Sequence, residues 1–401
     1  MAMEQAPPSR WKPFGKDLPL IDLPLFRPVI RPDDPRIEQV RQALFEGDPL
    51  ADEVSEWIAQ DPSREPIFAQ AVHRGIDSIP NPPPVLHRFF ASVDKDPPWL
   101  DRQLVSKGTE CLLRAGPIGH ASLGSVSLLS GYLSLGAVKP LMATRALLEQ
   151  TRRRLAETAQ FVVEISRSKD LSRFSSGFRA ALLVRMGHAK LRLALRQKGD
   201  WKRELWGEPI NQHDMLATVL EFSTVYITGL TLQGYLLTQS EREAIMHLWR
   251  YLGWVLGVRE ELLPRSFREG VELGLIVSLT EKGPDEDGKK LAQALVGTSQ
   301  LIHRDRLGKW LGWLRTQNNR ALSRIALGPR AMKALGLEVD PSALWVFIAF
   351  SSIEAIRSAI FRLLPGGMHL EREIRGRLMA WSTAQELEGK PPWFVSTDDD
   401  K

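Results

Sequence analysis

Between Val184 and Arg192 the chain reads VRMGHAKLR, a stretch that places a single imidazole on an apolar helical face. That face is formed by residues at i, i+3 and i+7 spacing, namely Ala181, Val184, His188, Leu191 and Leu195. Gly187 removes a Cβ beside the imidazole and permits close packing by a bulky group, at a cost of about 1 kcal/mol in helix propensity relative to alanine. Neutral imidazole is a common ligand of iron, and a flat apolar cofactor with acidic side groups would suit this surface; taken alone, however, such a histidine is more often a core residue bonded to a carbonyl.

Length and composition restrict the kinds of site that the chain can build. With 401 residues, 43% of them hydrophobic, it is large enough for one large domain or two ordinary ones. Its one cysteine, Cys111, excludes an intramolecular disulfide and a cysteine-based zinc or iron–sulfur site, so a metal must be bound through histidine or carboxylate. The first ten residues lack the apolar core of a secretory signal, and we therefore expect a cytoplasmic protein.

Charge and hydropathy limit the partners. The formal net charge of +5 permits contact with an anionic membrane surface without requiring it. The densest basic segments, 152–154 and 179–196, lack interleaved aromatic residues, so we expect no nucleic acid partner. The uncharged stretch 121–138 has Gly or Ser at eight of its 18 positions and therefore predicts a buried or broken helix, not a transmembrane segment.

The distribution of proline and the apolar periodicity predict an all-α chain. Seventeen of the 27 prolines precede residue 99, so the first quarter should consist of short helices and extended segments. Helical spacing then predicts long helices, listed here in chain order: 100–116, 141–168, 177–198, 211–235, 245–258, 289–303, 306–327, 342–363 and 368–388. Asn211 followed by Asp214, and Ser240 followed by Glu243, are typical of helix starts.

A second polar cluster lies one predicted helix before His188. Arg154, Glu157 and Thr158 stand at i, i+3 and i+4 and share a face, with Phe161 one turn further on. The simpler interpretation is a surface ion pair between Glu157 and a neighbouring arginine, worth about 0.2–0.5 kcal/mol. In the functional interpretation this face lines a pocket opposite His188: the guanidinium stabilises bound dioxygen, the carboxylate moves a proton and the hydroxyl donates a hydrogen bond.

Four segments in order carry a family resemblance: RLAET at 154–158, VRMGH at 184–188, WGEPINQHDML at 206–216 and HLWRYLGWVLGV at 247–258. Together they resemble the MpaB and latex clearing protein family of oxygenases, over about residues 100–265. The resemblance implies a globin-like helical core that holds a b-type haem, with additional helices at both ends. It also implies that His188 is the proximal iron ligand and that Arg154, Glu157 and Thr158 occupy the distal side.

The chain departs from the rubber-cleaving pattern at two places. Glu157 stands where latex clearing proteins have a lysine that can cap the iron. Residues 136–140 read GAVKP and contain no carboxylate, whereas the rubber-cleaving pattern has a glutamate proposed as the catalytic base in this region. Both departures make polyisoprene a less favoured substrate, and Glu157 is the candidate replacement for the base.

We therefore expect one all-helical domain over residues 1–401, with a Pro-rich wrapping segment (1–98), a haem-binding core (99–265) and a C-terminal helical part (266–401). The predicted function is a haem b-dependent oxygenase that uses dioxygen on a small apolar, olefinic or terpenoid-like substrate, with oxidative C=C cleavage as the chemistry that the resemblance implies. His188, Gly187 and Phe161 would contact the haem. Arg185 and Arg192 would pair with its propionates, although solvation of a basic face explains them nearly as well.

Two alternatives stay open. The chain could be a haem- or lipid-binding helical protein without turnover, in which Arg154 and Glu157 form a structural pair. Alternatively, His213 or His247 could be the iron ligand, although a packed core position is the more common role for a histidine such as His247 on an apolar helix.

Overall fold

The computed structural model describes residues 6–15, 30–143, 151–298, 306–338, 340–388 and 391–394. Over these ranges the chain forms helices and no strand; its one extended pairing is an isolated bridge between Trp11 and Glu281. The all-α prediction is thereby confirmed. The principal helices are α1 (Pro35–Gln42), α2 (Pro49–Gln60), α3 (Glu65–Arg74), α4 (Pro84–Ala91), α5 (Arg102–Ser122), α6 (Leu129–Gly131), α7 (Lys139–Ala143), α8 (Thr151–Arg167), α9 (Ser176–Lys198), α10 (Arg203–Trp206), α11 (Gln212–Leu220), α12 (Tyr226–Leu232), α13 (Gln239–Val255), α14 (Phe267–Thr280), α15 (Glu286–Thr298), α16 (Arg306–Ala334), α17 (Ala343–Leu363) and α18 (Gly367–Glu386).

The described part of the Pro-rich first quarter is a series of short helices, as the proline distribution predicts. Helices α1 and α2 begin at a proline, each preceded by an aspartate whose side chain accepts a hydrogen bond from a backbone N–H of the first turn. Proline suits the first helical position because that residue's N–H has no partner within the helix. Frequent prolines therefore start these helices and also keep them short.

Helix α5 leads into the stretch 121–138, which is a broken helix, one of the two forms predicted for it. The helix is kinked at Gly116, which has φ 54°, followed by Pro117. A π-helical segment, Leu123–Leu128, then leads to the single turn of α6. Cys111 is buried within α5, and this burial, with the nearby Glu241 carboxylate adding to it, raises the pKa of the thiol to about 12.

Helices α8 and α9, predicted as separate helices over 141–168 and 177–198, are joined by a short turn and pack as an antiparallel pair. The Ser168 hydroxyl accepts a 2.7 Å hydrogen bond from Gly177 N, and Ser175 caps α9 through Phe178 N. Helix α9 ends at Gly199, where φ is 71°. Residues 144–150 of the predicted helix 141–168 lie outside the described residues, as do 299–303 of the predicted helix 289–303.

The helix starts were predicted with one error. Asn211 caps α11 as expected, since its side chain accepts a 2.9 Å bond from Asp214 N. The capping box of α13 is formed by Thr238 and Glu241, not by Ser240 and Glu243. Thr238 has the extended backbone that a capping residue requires, with φ −70° and ψ 161°, and Ser240 is already inside the helix.

Two hydrophobic clusters build the interior. The larger includes buried residues of α2–α5, α8, α9 and α11–α14. The smaller joins the π-helical segment after α5 to α15, α16 and the start of α17. Helix α8 has residues in or against both clusters, with Phe161 in the first and Leu155 packed on the second. The two sides of α8 therefore face different parts of the molecule.

Candidate functional site

His188 lies on α9, and its imidazole has the protonation state and the free ring nitrogen that binding a metal requires. Its Nδ1 is buried and has no hydrogen-bond partner among the described residues. Burial lowers the pKa of the imidazole to about 4, and the positive charges of Arg192 and Arg154 lower it further while Asp48 opposes them. At neutral pH the ring is therefore uncharged, which is the form that binds a metal.

A gap beside His188 is filled by an aromatic ring. A Cβ built on Gly187 would lie 2.5 Å from Cη2 of Trp393, so the indole occupies the space that this glycine leaves. The next residue, Phe394, packs edge-on against Phe161 of α8, with 6.0 Å between ring centroids. Gly187 thus does admit a bulky planar group, and in this structure the group belongs to the C-terminal segment of the same chain.

The C-terminal segment is also held by helix α8. The guanidinium of Arg153 donates a 3.1 Å hydrogen bond to the carbonyl oxygen of Pro391. Segment 391–394 therefore reaches from α8 to α9 across the place where His188 lies. Sequence reasoning did not find this contact, because nothing in the pattern of residues 391–394 indicates where it packs.

Arg154, Glu157 and Thr158 form a local network on α8. Glu157 is buried and pairs with Arg153 Nε at 3.2 Å and with Arg154 Nη1 at 3.6 Å. Both arginine side chains are about one-third exposed. The Thr158 hydroxyl donates to the carbonyl oxygen of Arg154 at 3.0 Å. The predicted ion pair is present, and the Arg154 charge is close enough to His188 to lower the pKa of the imidazole.

Arg185 and Arg192, the predicted propionate partners, already have partners within the protein. Arg185 donates to both carboxylate oxygens of Asp48, at 2.6 and 2.9 Å, and to a backbone carbonyl. Arg192 pairs with Asp52 and donates to the carbonyl oxygens of Pro209 and Ile210. Both side chains are buried, so neither is the solvated basic face considered above. The structure supports a role in joining α9 to α2, and it gives no support to the propionate role, which stays a prediction.

A cavity of about 730 Å³ lies on the other side of α8. Leu155 and Thr158 contribute to its wall from α8, and His120 contributes from the segment that follows the α5 kink. Among the described residues the wall includes Thr158 but not His188. The predicted residues are thus divided, with Glu157 and Phe161 on the α9 side and Thr158 on the cavity side.

His120 and Asn319 are polar residues of the cavity wall that sequence reasoning missed. His120 Nε2 and Asn319 Oδ1 are buried and have no hydrogen-bond partner among the described residues. Burial, and then the charge of Arg315, lowers the pKa of His120 to about 4. The available signal was a histidine next to an uncharged apolar stretch, which does not distinguish a core position from a site.

Glu221 is a second missed group, in a π-helical segment that follows α11. Burial, and then the Asp214 charge, raises its pKa to about 8, so the carboxyl is protonated at neutral pH. A Cβ at Gly131 would lie 2.6 Å from its Oε1, which places the carboxyl against the end of α6. A lone carboxyl in the run VLEFSTVYITGL was the sequence signal for this residue.

The alternative iron ligands have other surroundings. His247 Nε2 accepts a 2.9 Å hydrogen bond from Asp101 N, at the start of α5. His213 is buried and pairs through Nδ1 with Asp214 at 3.1 Å, although its Nε2 has no described partner. His188 is distinguished by the adjacent glycine gap. No group of three or more metal-binding side chains occurs among the residues that the structure describes, whereas a haem iron needs only one protein ligand.

Comparisons with known proteins agree with this arrangement of helices. A latex clearing protein structure in the closed state superposes with a TM-score of 0.58 at 18% identity, covering 84% of this chain and 91% of that one. The rubber oxygenase of Streptomyces sp. (strain K30) is 23% identical over 260 residues, which is 64% of this chain. This chain spans 61% of the length of that relative.

The family model described as "ER-bound oxygenase mpaB/B'/Rubber oxygenase, catalytic domain" matches residues 119–356. The match covers more than half of the chain and extends from the end of α5 into α17, so it contains both α8 and α9. The chain therefore belongs to the mpaB and rubber oxygenase family.

Proposed function

We propose that this protein is a haem b-dependent oxygenase that acts on a small apolar olefin. The observation that carries the proposal is His188, a neutral, partly buried imidazole with a buried ring nitrogen that has no described hydrogen-bond partner, next to a glycine gap that already accepts a planar aromatic ring. Membership of an oxygenase family supports the reaction class.

The residues at the α8–α9 face fit a haem. His188 would bind the haem iron, Gly187 would leave room for the macrocycle, and Phe161 would contact it from α8. When bound, the haem iron supplies dioxygen activation. Trp393 and Phe394 would have to move or stack against the edge of the group, since the indole lies in the same gap.

The other residues of the site would stabilise charge, transfer a proton and contact the substrate. Arg154 keeps a permanent positive charge on the side of α8 that approaches His188, where it can stabilise negative charge that develops in the reaction. Glu157 is buried between two guanidinium groups and can accept a proton at its carboxylate. Thr158 lies at the wall of the cavity on the other side of α8, and its hydroxyl donates to the carbonyl oxygen of Arg154, so the residue would contact a substrate there.

The cavity supports a small, mainly apolar substrate. Its volume of about 730 Å³ falls within the range of small-molecule sites, and its wall combines apolar side chains with a few polar atoms such as His120 Nε2 and Asn319 Oδ1. Glu157 in place of the lysine of the rubber-cleaving pattern favours a substrate other than polyisoprene. We therefore propose a lipophilic olefin of limited length, cleaved or oxygenated at C=C.

The absorption spectrum of protein purified from haem-replete cells tests the proposal. We expect a Soret band in the wild type, loss of most of that band in His188→Ala, and its retention in His247→Ala, a matched change at a helical histidine that has a structural partner. A colourless wild type, or pigment retained in His188→Ala, contradicts haem binding through this residue. A haem-loaded protein that never consumes oxygen with any olefin would instead be a haem carrier.

A further inference from the structure

The C-terminal helices expose an unusual amount of apolar surface. Of the 20 large apolar side chains that are exposed in the described chain, 17 lie between Trp310 and Trp381, on or next to α16, α17 and α18. We call these 17 side chains the C-terminal apolar surface. Soluble monomers rarely expose a contiguous apolar patch of this kind without a partner.

Helix α17 is the centre of this surface. Two helical stretches of the described chain are long and apolar enough to cross a membrane, Gln212–Leu232 and Ala343–Leu363. In the first, 67% of the most apolar window is buried, as in a core helix, whereas in α17 the share is 11%. The mean hydropathy of the most apolar window of α17 is 1.6. Helix α17 therefore has the composition of a membrane helix and faces outward.

The buried side of α17 argues that the helix lies on a membrane and does not cross it. Glu354 faces the protein, where it pairs with Arg357 and with Arg375 of α18. A charged group in the middle of a bilayer is costly, and a paired carboxylate on the protein side avoids that cost. With one side fixed against α16 and α18, only the outward side can enter the membrane interface.

Tryptophan and basic residues share the outward faces. Trp345 at the start of α17 is 75% exposed and Trp381 near the end of α18 is 63% exposed. Trp313 and Trp381 each follow an exposed basic residue by four positions, Lys309 and Arg377, so each pair shares a helix face. Indole rings prefer the membrane interface, and long basic side chains extend to the phosphate groups.

The net charge of the C-terminal helices indicates what kind of partner they bind. Residues 306–388 contain twelve Lys or Arg and seven Asp or Glu, a net charge of +5 that equals the net charge of the whole chain. An anionic phospholipid surface complements this charge. A second copy of the chain would bring two positive, tryptophan-rich faces together across a symmetric interface, which electrostatic repulsion disfavours.

The cavity opens onto the same surface. Phe350 and Ile353 of α17 contribute to its wall, and both are exposed members of the C-terminal apolar surface. The cavity extends from these residues to Thr158 on α8. A lipid-dissolved molecule could therefore pass from the bilayer into the cavity without crossing water.

From this continuity we propose that α16–α18 dock the protein on an anionic phospholipid bilayer and that a lipid-dissolved olefin reaches the cavity directly from it. The docking stands on the surface alone, whereas the delivery of an olefin rests on the proposed oxygenase function.

Co-sedimentation of the full-length protein with phospholipid vesicles tests the docking. We expect binding to phosphatidylcholine vesicles that contain phosphatidylglycerol, weaker binding to phosphatidylcholine alone, and a decrease with ionic strength. The double variant Trp345→Glu/Trp381→Glu should bind at least about tenfold more weakly, because it removes two large side chains from the membrane interface. Phe174→Glu, a change at an aromatic position that is 50% exposed and lies outside this surface, should bind as the wild type does.

Two results would overturn the docking, provided that circular dichroism shows a folded protein. One is a wild type that stays in the supernatant with every vesicle composition. The other is a stable dimer in sedimentation equilibrium that the double tryptophan variant dissociates, since the surface would then be an interface between copies.

Oxygen consumption separates the delivery of substrate from the chemistry. We expect the double variant to keep the wild-type rate with a detergent-dispersed olefin and to lose most of the rate with the same olefin embedded in vesicles. Equal rates of wild type and variant with embedded olefin would overturn delivery from the bilayer. A wild type that binds vesicles but consumes olefin in neither form would refute the oxygenase proposal and leave the docking intact.

Discussion

Helices α8 and α9 face each other across the candidate site, and they hold their charges in opposite ways. On α9, Arg185 and Arg192 are buried and joined to the carboxylates of Asp48 and Asp52. On α8, Arg153 and Arg154 are about one-third exposed and share Glu157. The charges of α9 fix the helix that carries His188, whereas those of α8 are held loosely enough to take part in chemistry.

The largest expected effect on stability comes from breaking a buried ion pair of α9. Asp52→Ala leaves Arg192 buried without its carboxylate, and we expect the free energy of unfolding to fall by about 3–5 kcal/mol in urea denaturation. Glu65→Ala breaks an exposed ion pair between α3 and Lys190, which lies on α9 as Arg192 does. This change should lower the free energy of unfolding by about 1 kcal/mol or less. Similar costs for the two variants would mean that the buried pair does not fix α9.

An intermediate effect is expected on the pH dependence of the free energy of unfolding, through His188 on α9. The folded-state pKa of His188 is lowered to about 4, below its ordinary value of 6.5, so the unfolded chain takes up a proton first as the pH falls. Between pH 6.5 and about 4 the apo-protein should lose up to about 1.4 kcal/mol per pH unit from this group. His188→Gln should lack that loss, which thermal unfolding over this pH range can measure. Parallel stability curves for the two proteins would show that His188 is not desolvated.

The smallest effect on stability is expected on α8. Glu157→Gln and Arg154→Ala disrupt a partly exposed network, so each should change the free energy of unfolding by about 1 kcal/mol or less. If the two residues serve the reaction, olefin-dependent oxygen consumption should fall by about a hundredfold or more while the Soret band is retained. Full activity in both variants would assign the network to structure alone.

How much of the fold and the site could be predicted from the sequence depends on how far apart in the chain the interacting residues are. Helix α9, the cap at Asn211 and the break in 121–138 depend on neighbouring residues, and each was predicted from spacing or composition. The carboxylate partners of Arg185 and Arg192, Asp48 and Asp52, lie at the start of α2, more than 130 residues earlier, and no local pattern indicates them. The same holds for Trp393 against Gly187 and for the cavity wall at His120, because tertiary packing alone brings these residues together.

The burial of Cys111 has a practical consequence. It is the only thiol in the chain, and with its pKa near 12 it stays protonated and shielded from alkylating reagents. A cysteine introduced at an exposed position of α17 would consequently be the only one to accept a spin label or fluorophore. The native chain is thus suited to site-directed spectroscopy that tests whether that helix enters lipid, with no background thiol to remove first.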